Sequence, residues 1–139
     1  MLKKFVYWTG MSDFLVGLGT WGGAVGVAIN EPGVQGKFVP LITLGTFLLM
    51  AAALLMWSSH DMKTRAPVFF WQGLVRLSAI SAVVYAVPHG LSMTWEYGLL
   101  AIDGPIGLVY VIGAMKVTGA SFVDLLQCKT GAESSPAAP

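Results

Sequence analysis

Charge is what this chain has least of. Asp, Glu, Lys and Arg together make up 11% of its 139 residues, less than half of the roughly 25% usual in soluble domains. The eight basic and seven acidic side chains leave a net charge of +1, so the clustered positive charge that nucleic-acid binding requires is missing. Cysteine is limited to Cys128; no internal disulfide can form, and one thiol cannot build a thiolate metal site. Histidine is limited to His60 and His89, expected at opposite membrane faces, so one haem cannot be held by both. Phosphate-binding loops, dinucleotide fingerprints, zinc-protease motifs and nucleophile elbows do not occur. These absences lead us to expect no catalytic residue, no metal and no cofactor. Ten-residue polar/apolar alternation is lacking too, for runs such as residues 48–57 are continuously apolar; that excludes a transmembrane barrel.

What remains is apolar. Hydrophobic residues reach 55%, with 17 glycines beside them, more than a chain this short can hide from water, because a small domain keeps roughly a third of its surface exposed. Four stretches have the ~17–25 residues that cross a bilayer as helices: residues 5–29, 39–58, 68–87 and 97–118. Turn chemistry separates them, at Asn30-Glu31-Pro32-Gly33, Ser59-His60-Asp61-Met62-Lys63 and Pro88-His89-Gly90. The expected fold is all-α: a polytopic membrane protein whose four transmembrane helices form an antiparallel bundle over residues 1–119. A polar, largely disordered cytoplasmic tail follows over residues 120–139, with a short amphipathic piece around residues 122–126.

Basic residues fix the expected orientation. Lys3, Lys4, Lys63, Arg65, Lys116 and Lys129 fall on one side and Lys37 on the other, which places both termini in the cytoplasm and the protein in the inner (plasma) membrane. Cleavage of the first span as a signal peptide, after Gly26-Val27-Ala28, is the competing reading. Asp13 and six glycines between Gly10 and Gly26 make that span a poor signal core.

Ionisable groups inside spans are costly, ~2.5–3.5 kcal/mol each at a helix centre, and three are expected there: Asp13, Arg76 and Asp103. Asp13 and Arg76 each lie eight residues into a span running outward, ~12 Å above the inner boundary. Equal depth suggests an intramembrane ion pair between them. Asp103, on a span running inward, is placed ~21 Å above that boundary, too high to partner Arg76. At its level stand Thr20, Trp21, Thr43, Thr46, Ser81 and Tyr85, so a carboxyl without a cation is expected, a candidate proton site. Asp103-Gly104-Pro105 also suggests a broken helix, because Pro105 removes an amide donor. Gly19 with Gly23, and Gly22 with Gly26, have the small-xxx-small spacing that lets helix backbones approach, within the chain or between chains.

The segments Trp71-Gln72-Gly73-Leu74-Val75-Arg76-Leu77 and Asp103-Gly104-Pro105-Ile106-Gly107-Leu108-Val109-Tyr110 resemble small four-helix bacterial inner-membrane proteins of the BphX-like and DoxX-like groups. The first resemblance implies association with aromatic-compound catabolism and the second a link to quinol oxidation; neither implies a role for any residue here. The expectation drawn from all this is a non-catalytic accessory, assembly or scaffolding subunit that meets the lipid bilayer and a membrane-protein partner or second copy. The alternative is a small proton-coupled transporter using Asp13 or Asp103.

Overall fold

A computed structural model describes residues 1–30 and 38–130. The expected turn at Glu31-Pro32-Gly33, the charge of Lys37 and the end of the tail at 131–139 lie outside the described residues. Every described element is helical: α1 (Leu2–Asn30), α2 (Phe38–Ser58), α3 (Ala66–Ala86), a 3₁₀ turn (Thr94–Glu96), α4 (Tyr97–Thr118) and α5 (Phe122–Leu126). Four helical stretches are long and apolar enough to cross a membrane, and only 11% to 22% of each one's most apolar window is buried within the chain. Many large apolar side chains, among them Leu15, Phe47, Val75 and Ile102, are exposed, as a lipid solvent permits and water does not. The chain divides into two compact units, residues 1–60 and 61 onward.

In the first unit α1 packs on α2 through small residues spaced by seven. Gly10, Gly17 and Ala24 are buried on α1, and Gly45 and Ala52 on α2. The contacts that climb α1 descend α2: Gly10 lies against Ala52 and Leu55, Gly17 against Leu49, and Trp21 against Gly45. A seven-residue repeat keeps one face toward the partner when two helices wind slowly about each other. With only a hydrogen or a methyl group at those positions, the backbones come close enough for dispersion along the seam, the main attraction open to helices in lipid. Trp21 Nε1 donates to Thr46 Oγ1 at 3.2 Å, and that hydroxyl donates onward to the Ile42 carbonyl at 2.8 Å. Trp21 and Thr46, two of the six groups placed by sequence at the level of Asp103, are thus satisfied inside this unit.

The second unit repeats the device. Ala66 and Gly73 on α3, and Gly107 and Ala114 on α4, are buried seven residues apart. A β-carbon on Gly73 would sit 2.8 Å from the Gly107 carbonyl oxygen, and one on Gly107 3.1 Å from that of Gly73. Pro67 occupies the first turn of α3, where its missing N–H costs nothing. α4 ends at Gly119, whose φ of 70° is the left-handed conformation that glycine adopts without strain, and its N–H reaches the Met115 carbonyl. Contrary to the expected break, α4 runs unbroken through Pro105. One lost amide donor does not end a helix whose flanking turns remain bonded.

The start of the tail is structured. Ser121 and Asp124 form a reciprocal capping box for α5. Leu125 is fully buried, and the Phe122 ring meets Phe70 edge-on at 5.1 Å, so α5 docks on the base of α3.

Candidate functional site: the intramembrane ion pair

Arg76 lies near the middle of α3 and Asp103 in the second turn of α4, and the Arg76 guanidinium Nη1 donates to Asp103 Oδ1. Their side chains retain 14% and 21% exposure, a partly buried pair. The Arg76 guanidinium carbon also stands 6.0 Å from the centre of the Tyr110 ring, at the outer reach of a cation–π contact. Tyr110 is fully buried and meets Phe69 edge-on at 6.3 Å. A charge couple is thereby braced against the aromatic core of the second unit.

This corrects the depth argument, which denied Asp103 a cation and gave Arg76 no partner on α4. That arithmetic assumed helices ending flush. The register is instead set where Gly73 abuts Gly107, and counting three residues up α3 and three back along α4 brings Arg76 level with residue 104. The missed signal was the seven-residue spacing of Ala66 with Gly73 and of Gly107 with Ala114, which fixes the register once the two helices are paired.

Asp13 occupies a half-buried position of α1, in the first unit. The four glycines singled out by spacing serve differently from those of the seams: a β-carbon added at Gly19, Gly22, Gly23 or Gly26 would meet nothing within 4 Å. Close packing within the chain belongs to Gly10, Gly17, Gly45, Gly73 and Gly107 instead.

Several of the remaining polar side chains bond carbonyls of the helix they belong to or follow. Ser78 and Ser81 donate to the carbonyls of Val75 and Leu77. His60 and His89 each set Nδ1 on the carbonyl four residues earlier, Met56 at 2.9 Å and Tyr85 at 2.7 Å. A carbonyl only accepts, so the proton lies on Nδ1 in both rings. His89 also stacks on Tyr85 at 4.4 Å. Among the described residues no three His, Cys, Asp or Glu side chains gather as metal ligands would. Asp61, in the turn after α2, accepts the Thr64 N–H, which holds its carboxyl below the ordinary range. In comparisons with known proteins, no family, curated protein or solved structure matches the chain.

Proposed function

We propose that this chain is a multi-pass protein of the cell's inner (plasma) membrane, a four-helix antiparallel bundle with both termini in the cytoplasm. It acts as a non-catalytic accessory, assembly or scaffolding subunit. The observation that carries this reading is the Arg76–Asp103 pair. A carboxylate that must take up and release protons during transport gains from being free of a fixed cation, whereas one that locks two helices gains from having it. The pair therefore supports a structural role for Asp103 and counts against proton coupling. Asp13, half-buried on α1, belongs to the same reading as a further charge that fixes helix packing. The open glycine face of α1, at Gly19, Gly22, Gly23 and Gly26, is the surface offered to a membrane partner or a second copy.

Purification in mild detergent tests the reading. A stable membrane-protein partner or homo-oligomer should accompany the chain. The exchange variant Arg76→Asp/Asp103→Arg should retain that association better than either single change. Proton-coupled flux by the purified chain in proteoliposomes, abolished by Asp103→Asn with folding intact, would establish the transporter instead.

A further inference from the structure

The end of the first unit where α1 begins and α2 finishes holds a cleft of about 430 Å³, lined by Lys3, Lys4, Tyr7, Trp8, Ser59 and His60. That volume lies within the 300–1,000 Å³ typical of small-ligand sites. The lining is unlike the rest of the unit. Two ammonium groups stand on the first turn of α1, where unbonded backbone N–H groups add partial positive charge. No carboxylate is in the lining, and among the described residues neither lysine makes an ion pair. Positive charge at the positive end of a helix is unfavourable for the chain alone and favourable once an anion neutralises it.

The other groups suit a particular anion. Ser59 is 1% exposed; its hydroxyl donates to the Met56 carbonyl at 2.7 Å and keeps its accepting capacity for a hydroxyl-bearing group. With the Nδ1 proton committed to the Met56 carbonyl, His60 Nε2 likewise accepts, so it too suits a hydroxyl of the ligand and not its charged oxygens. Trp8, 65% exposed, stands edge-on to Tyr7 at 5.9 Å, and such a pair at the end of apolar helices belongs at the depth of lipid headgroups. A soluble phosphate would use the ammonium groups and leave the aromatic wall idle; a lipid uses both.

We infer that this cleft binds the phosphate of an anionic lipid, the ammonium groups of Lys3 and Lys4 taking its charge and Tyr7 and Trp8 lying along its glycerol and upper acyl carbons. The inference rests on the membrane reading above, and it gives the subunit a lipid that holds the α1–α2 end at the bilayer surface.

The test uses the full chain in nanodiscs of pure phosphatidylcholine or of phosphatidylcholine with phosphatidylglycerol, and the parent should enter both. After transfer to neutral detergent, retained phosphatidylglycerol is measured by mass spectrometry. Lys3→Gln/Lys4→Gln should retain it about 30-fold more weakly, the worth of two lysines near an anionic surface. Lys116→Gln/Lys129→Gln, which removes the same charge elsewhere, should retain it as the parent does. Equal weakening in the two double variants, or none in either, would overturn the site and leave the membrane reading standing. Displacement of phosphatidylglycerol by inorganic phosphate at equal concentration would overturn the lipid assignment. A chain that entered neither disc would overturn the membrane reading and the site with it.

Discussion

Asp103→Asn changes one atom's charge and almost nothing of the side chain's shape, so its cost isolates the ion pair. The Arg76 guanidinium would then lie between α3 and α4 with no carboxylate on α4, beside the buried Tyr110 ring. Breaking a buried pair by removing one partner typically costs ~3–5 kcal/mol. Side-chain exposures of 14% and 21% place this pair at the lower end, about 3 kcal/mol for Asp103→Asn and the same for Arg76→Gln. The double variant carries no unpaired charge from this couple and should lose no more than either single. The coupling then comes to about 3 kcal/mol, the top of the usual range for contacting residues. Reversible unfolding in mixed micelles of rising dodecyl sulfate fraction, followed by far-ultraviolet circular dichroism, supplies the four stabilities of the cycle. Losses that add within ~0.5 kcal/mol would show that the two side chains act independently, and the structural role assigned to them would fall.

The seams give a second contrast: Gly73→Ala presses a β-carbon onto the Gly107 carbonyl and should cost ~1–3 kcal/mol, whereas Gly22→Ala, with nothing within 4 Å, should be neutral or stabilise the free chain by up to ~1 kcal/mol. In the same unfolding assay, equal effects would remove the distinction between packed and open glycines. Asp124 accepts from the hydroxyl and N–H of Ser121, which holds its carboxyl below the ordinary range. A carboxyl lowered by folding stabilises α5 fully above the ordinary aspartate value of ~3.9 and loses that contribution as pH falls through its lowered folded value. The Ser121 amide resonance should therefore shift below pH ~4 and stay flat in Asp124→Asn. Cys128 is exposed, and with the proposed orientation an impermeant thiol reagent should label it in opened vesicles and not in intact cells; labelling of intact cells would reverse the topology.

The four long helices were legible as long apolar runs parted by turn residues, and each of their boundaries falls within three residues of expectation, from α1 at Leu2 to α4 at Thr118. The partner of Arg76 was not legible. Depth along a single helix is a sum of rises, but depth between helices depends on register, and register here is set by two glycines whose contact no single-helix count contains. Glycine pairs at i and i+4 are so frequent in membrane helices that Gly19 with Gly23 stood out over the true seam of Gly10, Gly17 and Ala24. The seven-residue repeat was present in the sequence but becomes distinctive only beside its match on α2. Leu125 and Phe122 were read as amphipathic, yet their docking on α3 needed the turn at Gly119 to bring them back.

The distance along the chain between Arg76 and Asp103, 27 residues, also sets a timetable for biosynthesis. Ribosomes add ~5–20 residues per second, so α3 waits ~1–5 s with its guanidinium exposed before the matching carboxylate is made. Leaving the translocon alone in that interval, α3 would carry into lipid a charge worth ~2.5–3.5 kcal/mol on insertion scales; leaving together with α4, it enters as half of a neutral couple whose Gly73–Gly107 contact is already available. The ion pair thus favours joint release of α3 and α4 as one hairpin over release of α3 alone.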